Sequence, residues 1–200
     1  MEITFIIFSL IVLLFSVIIH EVAHGTVAEY LGDPTAKYAN RLTLNPLRHL
    51  DPFGSIFLPL TLFLIHSPLL IGWAKPVPVN PYNFRDQRWG GLKVAAAGPI
   101  ANFSIGLFFG LLIRFFDLPL AMVELFSIIV IYNFLLALFN LIPIPPLDGS
   151  HILFALLPDS LSGIKAVLQQ YGFYLLLFFI FFGLKFVFTG ARLLYIFVTG

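Results

Sequence analysis

The sequence predicts an all-α fold, a polytopic transmembrane helix bundle with a re-entrant segment. Three observations predict it. Hydrophobic residues make up 60% of the 200-residue chain and charged residues 10%, against about 45–50% and 25% in soluble domains. The stretches 3–31, 92–116, 120–142 and 171–198 are each long enough for a spanning helix, which needs about 20 apolar residues. A fifth stretch, 54–72, is short and broken by Pro59, His66 and Pro68.

The remaining loops leave no room for a compact soluble domain, and no internal repeat or heptad is visible, so one integral-membrane domain fills 1–200. A net charge of +1 implies no nucleic-acid partner. The absence of cysteine excludes disulfides, a thiol nucleophile and a cysteine-ligated metal. Glu2 stands where a signal peptide would be basic, so a removable leader is not expected.

The first stretch is uncharged from Ile3 to Ile19 and then reads His20-Glu21-Val22-Ala23-His24. Ionisable groups at membrane depth are costly and usually functional. Histidines four apart on a helix share one face, so both imidazoles can reach one zinc ion, and the glutamate between them can act as base toward water.

The second stretch is placed by charge. Lys37, Arg41 and Arg48 precede it; Lys75, Arg85, Arg88 and Lys93 follow it. Basic loops mark the cytoplasmic side, so both flanks belong on one side and 54–72 dips in and returns. The third stretch then runs outward and the fourth returns. Residues just after 142 therefore lie on the side of His20 and His24, and both chain termini lie outside.

The third stretch carries the small residues Ala95, Ala96, Ala97, Gly98 and Ala101, then Gly106 and Gly110. That face fits close packing against the metal helix better than a substrate groove. Pro99 starts or kinks this helix.

The fourth stretch closes on Asn140-Leu141-Ile142-Pro143-Ile144-Pro145-Pro146-Leu147-Asp148-Gly149. Catalytic zinc takes three protein ligands and keeps a place for water. By the topology above, Asp148 is the best-placed carboxylate for the third. Local composition alone allows a solvated turn equally well.

HEVAH in an apolar helix, then AAAGPIANF, then NLIPIPPLDG resemble the site-2 protease family of intramembrane metalloproteases. The match is residue by residue at His20, Glu21 and His24, and at Asn140, Pro143, Leu147, Asp148 and Gly149. It covers about residues 10–155. The resemblance implies one zinc per chain, held by His20, His24 and Asp148, with Glu21 as catalytic base. It implies cleavage of membrane-spanning protein substrates within the lipid bilayer, and a multi-pass protein of a prokaryotic cell membrane. PDZ and CBS domains of larger members are not seen, and 45–54 and 72–80 resemble a compact bacterial and archaeal branch.

Weaker candidates remain. Asn140 and Asn102 can bind the unwound substrate backbone or an oxyanion, or simply hold helices together. His49 and Asp51 can orient a zinc histidine, but a turn suits them better. His66 reads as a hydrogen-bonded histidine of the re-entrant segment, and His151 is not needed as a fourth ligand. The stretch 75–81 is extended, either an edge for an unwound substrate or a rigid interfacial loop. The 24 phenylalanines face lipid or pack. Rival readings are a membrane metalloprotease with a glutamate as third ligand, and a non-proteolytic metal-binding scaffold or transporter. The former would lack Leu-Asp-Gly; a transporter would show paired repeats.

Overall fold

The computed structural model describes residues 3–57, 60–61, 64–65 and 74–200. Its helices are α1 (Ile3–Tyr30), α2 (Thr35–Tyr38), α3 (Gly90–Phe115), α4 (Leu120–Asn140), α5 (Asp148–Leu156), α6 (Ser162–Phe182) and α7 (Leu184–Thr199). No β-strand occurs among the described residues. Four of these helices, α1, α3, α4 and α6, are long and apolar enough to cross a membrane.

With 28 residues, α1 is about 42 Å long, more than a hydrocarbon core of about 30 Å requires. Its first half exposes Ile3, Ile7 and Leu10, as lipid contact demands. From Ser16 onward it buries Ser16, Ile18, His20, His24, Gly25 and Ala28. The helix stops at Gly32, whose φ of +109° suits glycine. There the Asp33 N–H returns to the Ala28 carbonyl at 2.9 Å.

The α3 helix runs antiparallel to α1, and its small residues set the spacing. A Cβ at Gly98 would lie 2.6 Å from His20 Nε2, at Gly106 2.7 Å from the Phe134 ring, and at Gly110 2.6 Å from Val198 Cγ1. Residues four apart drift by about 40° around a helix. The stripe therefore turns from α1 to α4 and then to α7. Close packing on α1, as the sequence suggested, is what Gly98 provides. Pro99 lies buried inside α3, well after its start at Gly90, so it does not begin the helix.

On the far side, Val130, Phe134, Ala191 and Val198 form the apolar core of α4 and α7. The apolar stretch 171–198 is not one element. It is divided at Gly183, and α6 begins earlier, at Ser162. Hydropathy missed both points: Lys165, Gln169 and Gln170 are polar but good helix formers, and Gly183 interrupts no apolar run. A Cβ at Gly183 would meet the Phe179 ring at 2.4 Å.

Most of the segment expected to be re-entrant lies outside the described residues. Its flanks meet: the Lys75 N–H donates to the His49 carbonyl at 2.8 Å. The following stretch, 74–80, is irregular and is pinned to the end of α1. Asp33 does the pinning. Its carboxylate accepts from the Asn80 N–H at 2.7 Å, Asn83 Nδ2 at 2.8 Å, the Thr35 N–H at 3.1 Å and the Thr35 hydroxyl. Burial pushes the Asp33 carboxyl up, but the donors from Thr35, Asn83 and Asn80 hold it below the usual range.

Candidate metal centre

The trio His20, His24 and Asp148 converges. His20 Nε2 and His24 Nε2 lie 3.0 and 3.3 Å from Asp148 Oδ2, and 3.1 Å from each other. The two imidazoles come from successive turns of α1, with ring planes at 84°. Asp148 opens α5, directly after the proline-rich turn that ends α4. That turn is fixed by Gly149, where a Cβ would lie 2.2 Å from the Leu141 carbonyl oxygen.

The protonation of the rings follows from their partners. His20 Nδ1 lies 2.7 Å from Asn102 Oδ1, and His24 Nδ1 lies 2.7 Å from the Val94 carbonyl. Both partner atoms only accept, so each Nδ1 carries a proton, and in the neutral imidazole each Nε2 then presents a lone pair. Asp148 Oδ2 is buried with no hydrogen-bond donor. Three acceptor atoms facing one another in a buried place call for a cation. Ligand atoms about 2.0–2.1 Å from a tetrahedral zinc stand about 3.3–3.4 Å apart. One of the observed separations, 3.3 Å, falls on that value, and the other two, 3.0 and 3.1 Å, are shorter by a few tenths of an ångström. The donor set, two imidazoles and one carboxylate, also suits zinc.

The α3 helix supplies the support. Val94, Gly98 and Asn102 follow at intervals of one turn. The first orients His24, the last orients His20, and the glycine between them makes room for both rings. Glu21 sits beside its two histidines in sequence, and its Oε2 accepts from the Val77 N–H at 2.8 Å. Val77 is buried, and a Cβ at Gly25 would lie 2.8 Å from its Cγ1.

The remaining candidates separate. Asn102 was a possible substrate amide; it is 0% exposed and bonded on all sides within the protein. Asn140 donates to the Leu136 carbonyl of its own helix at 3.0 Å. His49 is buried with Nε2 on the Thr43 carbonyl at 2.8 Å, and Asp51 accepts from the Phe53 and Gly54 N–H groups. Both build turns. His24 and His20 take their orientation from Val94 and Asn102 instead. His151 is exposed, and His66 lies outside the described residues. Sequence reasoning put Gly98 on the close-packing face but did not see that it seats both imidazole rings, and it missed Asn133 and Val77. The signal for the first was its place one turn before Asn102; Val77 acts through its backbone and left none.

Comparison with known proteins identifies the family. A family model described as peptidase family M50 matches residues 117–183, which include the Asp148 turn but not the histidine pair. "Putative zinc metalloprotease YwhC" of Bacillus subtilis is 39% identical over 175 residues, covering 83% of this chain and 76% of that protein. "Putative zinc metalloprotease Rip2" of Mycolicibacterium smegmatis is 31% identical over 164 residues, 80% of this chain and 61% of that one. "Zinc metalloprotease MJ0392" of Methanocaldococcus jannaschii is 35% identical over 77 residues, 38% and 23% of the two chains. No solved structure matches. With apolar helices of spanning length, a zinc-compatible trio and a relative similar over most of both chains, the protein belongs to peptidase family M50, the site-2 protease family, and is a zinc metalloprotease.

Proposed function

We propose that the protein is an intramembrane endopeptidase of the cell membrane. It hydrolyses peptide bonds in or near the transmembrane segments of partner proteins. His20, His24 and Asp148 hold the zinc and Glu21 is the base. The observation that carries this reading is the meeting of three acceptor atoms 3.0–3.3 Å apart, with Glu21 next to His20 in the chain.

Zinc, when bound, acidifies a water and polarises the scissile carbonyl. The chain's own groups do the rest. Nδ1–H donation to Asn102 and Val94 keeps both Nε2 atoms turned toward Asp148 Oδ2, the place where these three groups would hold the zinc. Glu21 takes a proton from the attacking water and returns it to the leaving amide nitrogen. The Val77 N–H fixes the orientation of that carboxylate. A surround poor in water strengthens each of these interactions. A substrate helix must unwind before its peptide bond is accessible, and the Asn140 amide, at the end of α4, is the candidate group to meet the freed backbone. The hydrogen bond between Lys75 and His49 supports the re-entrant reading of 54–72, since a single crossing would part its ends by about 30 Å.

The test separates binding from catalysis. Glu21→Gln should fold and keep about one zinc per chain, yet cleave a transmembrane test substrate about 10³-fold more slowly. His20→Ala, His24→Ala and Asp148→Ala should lose the metal. A Glu21→Gln protein with wild-type activity refutes the base; a folded Asp148→Ala protein with full zinc refutes the third ligand.

A further inference from the structure

We infer that Asn102 is a positioning residue for His20, and that Asn133 and Ser16 hold Asn102 in register. The inference rests on the metal reading above. Asn102 Oδ1 receives the His20 Nδ1 proton at 2.7 Å. The Asn102 Nδ2 group donates to the Ser16 carbonyl at 3.1 Å and to Asn133 Oδ1 at 2.9 Å. Turning the amide over would set its oxygen against the Ser16 carbonyl oxygen and its N–H against the ring N–H. The flipped state therefore loses every bond it had.

Asn133 is fixed in the same way. Its Nδ2 donates to Ser16 Oγ at 2.9 Å and to the Ile129 carbonyl at 2.9 Å. The chain of amides thus ends on two main-chain carbonyls, Ser16 on α1 and Ile129 on α4. Backbone carbonyls have no alternative role to switch to. The tautomer of His20 is consequently set by the helix backbones, transmitted through two buried side chains. Asn102 and Asn133 are 0% and 1% exposed, so water does not substitute for either partner.

The two histidines are served differently. His24 bonds directly to the Val94 carbonyl, which no substitution removes. His20 depends on a side chain. A role as mere adhesive between helices explains the contacts of Asn102 with Ser16 and Asn133. It does not explain why the amide oxygen is spent on an imidazole nitrogen of a metal ligand.

The experiment uses the full chain in detergent, stripped of metal. Zinc is titrated against a chromophoric chelator, and the d–d spectrum of the cobalt-loaded protein is recorded. Asn102→Ala removes the acceptor. Asn102→Asp keeps an acceptor for His20 but loses both donations. Asn102→Ala should bind zinc about 10–100-fold more weakly with an altered cobalt spectrum, and Asn102→Asp should recover most of that loss. A folded Asn102→Ala protein with wild-type affinity overturns the proposal, as does an Asn102→Asp protein no tighter than Asn102→Ala. Where Asn102→Ala does not fold, Asn133→Ala decides: a smaller loss in the same direction supports the relay, and unchanged affinity overturns it. A wild-type protein that binds no zinc refutes the metal reading itself, a failure visible before any variant is compared.

Discussion

By length and composition, α1 and α6 are both candidates to cross a membrane. The structure uses them in opposite ways. The second half of α1 buries Ser16, His20 and His24 against α3 and α4, and each makes a specific hydrogen bond. The α6 helix leaves Phe173, Tyr174, Phe178, Phe181 and Phe182 exposed, and Gly172 is its one buried residue among those described. A Cβ at Gly172 would stand 2.6 Å from Pro145. Apolar character brings a helix into lipid, where lipid tails satisfy a phenylalanine as well as a neighbouring helix does. Small residues and paired polar groups decide which helix then packs against which.

This comparison breaks most readily at Gly98. Gly98→Ala places a carbon about 2.5–2.6 Å from both Nε2 atoms, so zinc content or affinity should fall at least about tenfold. Gly91→Ala, with nothing within 4 Å of its Cβ, should match wild type. Metal analysis of the two purified variants checks the contrast. Equal zinc in both would mean that α3 is not the close support of the centre.

A smaller effect is expected at Asp33, where the end of α1 is tied to the stretch 74–80. Its carboxyl titrates lower in the folded protein than in the unfolded chain. The stabilisation is therefore full at neutral pH and fades as pH falls through the folded value. Asp33→Asn should cost about 1–3 kcal/mol at pH 7, and the gap to wild type should narrow below about pH 4. Thermal unfolding in detergent across pH measures it; a gap that widens in acid would reverse the assignment.

The smallest effect belongs to α6. Phe178→Leu and Phe181→Leu replace exposed rings with another apolar group, so stability should change by no more than about 0.5 kcal/mol and zinc content not at all. A large loss of stability would show that α6 packs on a partner surface rather than lipid.

What the sequence disclosed follows from how each residue acts. His20, Glu21 and His24 form a motif of fixed spacing and Asp148 lies in a Leu-Asp-Gly turn, so the roles proposed for them rest on side-chain chemistry that is written in letters. Asn102 stood out as polar in an apolar helix, but its partner lies 82 positions away, so its role was open. Val77 acts through a backbone N–H, which every residue but proline carries. The division at Gly183 falls between apolar residues on both sides, with Lys185 the one charged residue close after it, so hydropathy has little edge to detect. Three of the four helices of spanning length, α1, α3 and α4, were legible to within about two residues for the converse reason, because lipid imposes length and composition directly.

Gly98 has one more consequence. Because not even a methyl group fits between α3 and the two rings, the centre has a floor made of main chain. A carbon added there would meet the rings first, so the shape of the trio is tied to the distance between two helix backbones.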